Sequence, residues 1–193
     1  MYEFITGDIV ERTPTYIILE TGNVGYYINI SLYTYSLIPG QNPCQLFIHQ
    51  IVREDANILF GFISKEEREV FRQLISVSGV GANTARLILS SLGPAEIEQA
   101  INEGDVATLQ GIKGIGAKSA QRIIVDLKGK ISTRGEVDQL FPEQSNTLRF
   151  EALSALVNLG FTRKTVEKVL DQILRGDDEL SVEQLIKEAL KKL

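Results

Sequence analysis

One short motif occurs twice in this chain and restricts what it can fold into. Residues 74–88 read Leu74-Ile-Ser-Val-Ser-Gly79-Val80-Gly81-Ala82-Asn83-Thr84-Ala85-Arg86-Leu-Ile88. Residues 109–123 read Leu109-Gln-Gly111-Ile-Lys113-Gly114-Ile115-Gly116-Ala117-Lys118-Ser119-Ala120-Gln-Arg122-Ile123. At an offset of 35 residues Leu, Gly, Gly, Ala, Ala and Ile coincide, while Val/Ile and Thr/Ser replace one another. Two copies of this length make a paired supersecondary unit and not a solenoid.

Each copy predicts a helix, a tight Gly-apolar-Gly turn and a second helix. Glycine permits positive φ and leaves no Cβ between the backbone and whatever lies beyond it. The apolar residue between the glycines, Val80 or Ile115, can point back and pin the turn. After the turn, the free amides of Gly81 to Thr84, and of Gly116 to Ser119, stand at a helix N-terminus. Unpaired donors and the positive end of the helix dipole together favour an anion. Two such ends on one rigid unit suit two phosphates of one polynucleotide strand, a contact that positions a protein without reading sequence. The candidate DNA-binding residues are Gly79, Val80, Gly81, Asn83 and Thr84 in the first copy. In the second they are Gly114, Ile115, Gly116, Lys118, Ser119 and Arg122.

Other readings of the glycines fare worse. Gly111 to Lys118-Ser119 nearly spells a phosphate-binding P-loop, but Ala117 intervenes between Gly116 and Lys118, and residues 105–109 read as a short helix where a strand is required. A dinucleotide fingerprint needs a third glycine where Thr84 and Ser119 stand. The bland alternative is a pair of plain helix–helix connections, which leaves the match between the copies unexplained.

The catalytic inventory is thin. The single histidine, His49, lies in a strand at alternating spacing and reads as a packed or surface residue. No Cys/His cluster has metal-ligand spacing. No nucleophile–base pair emerges, and Asp126 reads as part of a helix face. No metal or cofactor is expected. Glu54-Asp55 at a hairpin tip is the one acidic pair placed to act, against the simpler reading of solvated turn residues.

Charge bears on the nucleic-acid reading. The 193 residues carry 20 basic and 25 acidic side chains, net −5, which argues against a global basic field. By region the balance is −4 for residues 1–63, +1 for 64–131, −2 for 132–147 and zero for 148–193. Only the repeat region leans basic, with Lys113, Lys118 and Arg122 about its second turn. The lone Cys44 excludes an internal disulfide framework, and no secretion signal or apolar run of membrane-spanning length is visible, so a cytoplasmic protein is expected.

In chain order, residues 1–63 read as five short strands: Phe4–Val10, Tyr16–Glu20, Gly25–Ile30, Gln45–Val52 and Ile58–Phe62. Ser31 to Leu37 form a crossover, and the whole suggests a small barrel. At Ser64 the period becomes helical, with Ser64 and Glu67 as a capping box. Helices then run to about Lys130, with Pro94 opening one and Asp105 capping another. Residues 132–146 lack apolar period and read as a flexible linker. Residues 147–193 read as three helices. Asn146 or Thr147 opens the first, whose apolar face is Leu148, Ala152, Ala155, Leu156 and Leu159. Thr162 and Ser181 cap the others, and Gly160 and Gly176 end helices. The fold class expected is multidomain α+β: a five-stranded barrel, a helical domain built on the two Gly-apolar-Gly turns, a linker and a C-terminal three-helix bundle.

Taken together, the Ile51-Val-Arg-Glu54-Asp55-Ala stretch with Gly61-Phe62, the two Gly-apolar-Gly turns, and Arg122-Ile-Ile-Val-Asp-Leu-Lys128 resemble the RuvA family of Holliday-junction-binding proteins along essentially the whole chain. The resemblance implies that the barrel is OB-type and the helical domain a tandem helix-hairpin-helix, and that the chain forms a homotetramer, or two of them as an octamer, with a DNA face whose turns grip the backbones of a four-way junction. It implies that Glu54 and Asp55 form an acidic pin at the crossover. It implies that residues 147–193 dock a RuvB-type hexameric ATPase, with Leu156, Leu159, Gly160 and Phe161 as candidate contacts, and that a RuvC-type resolvase is a further partner. It also implies that the chain itself has no ATPase and is not an enzyme. One departure is Asn83, which stands where the second copy has Lys118. Two other classes stay open: a DNA-repair enzyme that holds damaged duplex with the same turns, and a scaffold whose bundle does the main work.

Overall fold

The computed structural model describes residues 2–129, 131, 145–174 and 180–193, which fall into two compact units divided after residue 134. Each unit is described separately.

The first unit begins with strands β1 (Phe4–Arg12), β2 (Tyr16–Thr21), β3 (Val24–Ile30), β4 (Cys44–Val52) and β5 (Asn57–Phe62), with helix α1 (Leu32–Leu37) between β3 and β4. They close into a barrel in the order β1-β2-β3-β5-β4; β3 and β5 run parallel and every other pair is antiparallel. Period-two alternation turns Ile17, Leu19, Ile28, Ile30, Leu46 and Ile48 into the barrel, where they are fully or almost fully buried. The five expected strands are all present. The crossover is a helix whose N-cap, Ser31, accepts through Oγ from the Thr34 amide at 2.9 Å.

Five helices follow: α2 (Lys65–Ser76), α3 (Ala82–Ser91), α4 (Pro94–Glu103), α5 (Val106–Gln110) and α6 (Ala117–Leu127). Residue 63 marks a change of secondary structure without a break in packing. Phe60 and Phe62 of β5 join the helical core, where their rings lie 5.1 and 4.9 Å from that of Phe71 on α2. His49 packs against the same ring at 5.4 Å; burial, with the Arg72 and Arg68 charges adding to it, depresses its pKa.

Two buried charged residues weld α2 to the barrel. Arg68 donates to the carbonyls of Glu3 and Ile48 and pairs with the Glu3 carboxylate. The expected capping box at Ser64 is only half formed. Ser64 Oγ accepts from Glu67 N at 3.2 Å, but the Glu67 carboxylate does not return to Ser64. It turns inward and accepts from Ser31 Oγ at 2.6 Å, from Thr34 Oγ1 at 2.8 and 2.7 Å, and from Ile63 N at 3.1 Å. A buried carboxylate needs every donor within reach, and here the donors of α1 and the β5–α2 junction outbid the local cap.

The second unit contains α7 (Ser145–Asn158), α8 (Arg163–Leu174) and α9 (Val182–Lys192) around Ala152, Leu153, Leu156, Val166, Leu170, Leu185 and Ala189. Helix α7 begins at Ser145, just ahead of the opening expected at Asn146 or Thr147, and so takes in the last two residues of the expected linker. The rest of that linker, and the helix stop expected at Gly176, lie outside the described residues. Ser181 forms a complete capping box with Gln184: Oγ accepts from Gln184 N at 3.3 Å, and Oε1 accepts from Ser181 N at 3.0 Å. The apolar face expected on α7 is corrected at its end. Leu159 is 62% exposed, and Leu153 fills the core instead.

Candidate nucleic-acid interface

The two glycine turns have the same backbone. In each, the first glycine is left-handed, Gly79 at φ 92° and Gly114 at φ 90°. There L side chains are strained and glycine is not. The apolar residue that follows donates its amide back across the turn, Val80 N to Val77 O and Ile115 N to Ile112 O, both at 3.0 Å. Val80 and Ile115 are buried, which makes them the pins of the turns and leaves the backbone as the outward surface. Gly114 lies beside Leu87 of α3, so the second turn sits against the helix that the first turn opens.

The second glycine of each pair is different in kind. Gly81 (φ −83°, ψ 167°) and Gly116 (φ −80°, ψ 166°) are N-caps of α3 and α6 with extended backbone open to any residue. A Cβ at either would meet nothing within 4 Å. Neither conformation nor packing inside the chain therefore calls for glycine. Elsewhere in this unit Ser31, Ser64 and Asp105 cap their helices with side chains; the third glycine cap, Gly93, donates its own amide to Glu96 at 2.7 Å and is held to glycine by packing, since a Cβ there would come within 3.1 Å of the Tyr33 ring. At Gly81 and Gly116 no side chain caps the helix, so the amides of Ala82 to Thr84 and of Ala117 to Ser119 face outward uncapped.

The side chains about the turns are unequal. Lys113, Lys118 and Arg122 are exposed at the second turn. Arg122 Nε is 3.8 Å from Asp126 Oδ2, a surface pair of small energetic weight. At the first turn Asn83 is exposed and Thr84 half-buried, while Arg86 points to the barrel, donating to Thr15 O and Asn29 Oδ1, each at 3.1 Å. Between that turn and the barrel lies a cleft of about 510 Å³ whose lining includes Asn29, Arg53, Asn57 and Gly81 to Thr84. Sequence reasoning missed this cleft because it joins segments about thirty residues apart.

Glu54 and Asp55 are exposed at the tip of the β4–β5 hairpin, where Arg53 N donates to Ala56 O at 2.8 Å. In the second unit, Leu156 is fully buried and has no surface to offer. Leu159 and Gly160 are exposed and Phe161 is half-buried, so of the four candidates Leu159 offers the largest apolar side chain to solvent. Among the described residues no helix is long and apolar enough to cross a membrane.

A small closed barrel fused to two superimposable glycine turns defines a tandem helix-hairpin-helix protein. Family models bear this out along the chain: residues 1–61 match the RuvA N-terminal domain, residues 71–129 the SAM-like helix-hairpin-helix tandem, and residues 148–193 the RuvA C-terminal domain. The chain belongs to the RuvA family. It is 52% identical to the Holliday junction branch migration complex subunit RuvA of Christiangramia forsetii, 50% to that of Flavobacterium psychrophilum and 46% to that of Porphyromonas gingivalis. Each match covers the whole of both chains.

Proposed function

We propose that this chain binds four-way DNA junctions through their sugar–phosphate backbones, as a non-catalytic cytoplasmic subunit of a branch-migration complex. The observation that supports this most is the pair of N-cap glycines with open space about them, set in two turns of equal geometry. Bare amides at a helix start fit a phosphate, and two such starts on one unit fit one strand at two points. In this reading residues 1–63 and 64–131 form the DNA-holding part of a homotetramer, residues 132–146 are a linker, and residues 147–193 recruit a RuvB-type hexameric ATPase. Recognition is by shape, so affinity falls with salt and is indifferent to sequence. The test is a gel shift comparing a four-way junction with a linear duplex of the same sequence. Preference for the junction is expected, and equal affinity would refute the reading.

The acidic tip has its own expected result. Phosphates approaching Glu54 and Asp55 are repelled, which disfavours duplex lying straight across the tip. The double substitution E54Q/D55N should leave the melting temperature unchanged, since both side chains are exposed. It should tighten binding to linear duplex and narrow the preference for the junction about tenfold, a change of roughly 1.4 kcal/mol. An unchanged preference removes the role assigned to the tip.

For the second unit, L159D should weaken ATPase recruitment by roughly tenfold or more while sparing junction binding, because a charge in the middle of an exposed apolar contact is costly to desolvate. Pull-down of the purified hexamer by the variant measures this; recruitment at the unsubstituted level would move the docking surface elsewhere.

A further inference from the structure

The two turns are alike in backbone and unlike in charge. The second carries Lys113 before its left-handed glycine and Lys118 at the second position of α6; the matching residues of the first are Ser78 and Asn83. The cations nearest the first turn in sequence are engaged elsewhere. Arg72 lies 3.9 Å from Glu69, and Arg86 is tied to Thr15 and Asn29. If both turns hold phosphates, the first has no cation of its own to neutralise one.

The barrel can provide it. The cleft bordered by Gly81, Ala82, Asn83 and Thr84 is walled on its other side by β3, β5 and the root of the β4–β5 tip, including Arg53. Arg53 is exposed, its backbone is held by the tip turn to Ala56, and its guanidinium has no ion-pair or hydrogen-bond partner among the described residues. The neighbouring Glu54 and Asp55 do not engage it. Arginine presents a planar fork suited to phosphate oxygens, and a site already holding backbone amides makes each added charge-assisted bond count.

Resting on the reading of the turns as phosphate grips, we infer that Arg53 is a DNA-binding residue that supplies, from the barrel, the cation missing at Asn83. The first grip is then a composite of two elements, amides from the start of α3 and a guanidinium from the hairpin tip. Its consequence is mechanical: the strand held at the first turn is tied to the same tip that carries Glu54 and Asp55. Cation and acidic pair sit side by side, one drawing a backbone into the cleft and the other turning the next one away.

The full-length chain tests this by junction affinity measured across a salt series. R53Q should bind the junction about tenfold more weakly at moderate salt and with a shallower salt dependence, as loss of a phosphate contact requires. Its melting temperature should be unchanged. K118N should behave alike, as the matching loss at the second turn. Adding N83K to R53Q places a cation back at the first turn and should recover affinity to within about threefold, restoring the salt slope. An R53Q protein that binds like the parent overturns the inference, and so does weakened binding that N83K fails to restore. If K118N weakens binding and R53Q does not, this inference alone fails. If neither weakens it, the phosphate-grip reading fails with it.

Discussion

Replacing the two N-cap glycines by aspartate, G81D/G116D, should raise stability slightly and lower junction affinity by roughly a hundredfold or more, the value of a few charge-assisted hydrogen bonds of about 1.5–3 kcal/mol each. The gain in stability follows from the folded chain. Both positions have extended φ and ψ that any residue adopts, and the added Cβ meets open space. Aspartate at an N-cap accepts the amides of the first turn and adds a charge favourable to the helix dipole, worth together about 0.5–1 kcal/mol per site. The loss of binding follows from the same geometry: the carboxylate occupies the amides offered to phosphate and repels the phosphate as well. Thermal melting and a junction titration on one preparation measure both effects. A protein that melts higher and binds unchanged would show that the amides are not where DNA is held. The first glycines make the contrast. G79A/G114A should destabilise by about 1–2 kcal/mol per site, because their φ near 90° costs any L side chain.

The second large effect is expected at Glu67. Removing its carboxylate in E67A leaves Ile63 N–H and the Ser31 and Thr34 hydroxyls without their acceptor, in a site with 0% exposure. Unsatisfied donors at about 1–3 kcal/mol each, plus the cavity, should destabilise the first unit by roughly 3–5 kcal/mol, or on the order of 10 °C in melting temperature. Loss of less than about 1 kcal/mol would mean that the donors find other partners. The isosteric E67Q isolates the charge. Burial raises the Glu67 pKa above its ordinary value, against the pull of the Ser31, Thr34 and Ile63 donors. A raised folded pKa contributes stability that is complete below the unfolded pKa and is lost as pH rises through the folded one. The margin of the natural chain over E67Q should therefore widen on going from about pH 8 to about pH 5. Widening in the other direction would show that the donors outweigh burial.

Glu67 also marks the limit of what linear reasoning reached. Its place three residues after Ser64 predicts a capping box, and the Ser64 half of it is there. The other half is missing because donors more than thirty residues away claim the carboxylate. Leu156 and Leu159 are a similar case. Helical spacing places both on one apolar face, yet one is fully buried and the other, in the turn just after α7, is 62% exposed. Arg68, to which the linear pattern assigns nothing, is buried against Glu3 and Ile48.

What the sequence by itself determined is everything carried by neighbours in the chain. Alternating β-branched residues specified the barrel strands, Ser181 specified a helix start, and Gly79-Val80-Gly81 and Gly114-Ile115-Gly116 specified two bent corners, since φ preference, caps and turn bonds act over a few residues. Tertiary structure alone decided that β5 shares its phenylalanines with the helices, that Glu67 and Arg68 lock α2 to the barrel, and that Arg53 and the first turn line one cleft. Those contacts join segments brought together only by folding, where burial and the need of each buried polar group for a partner override local preference.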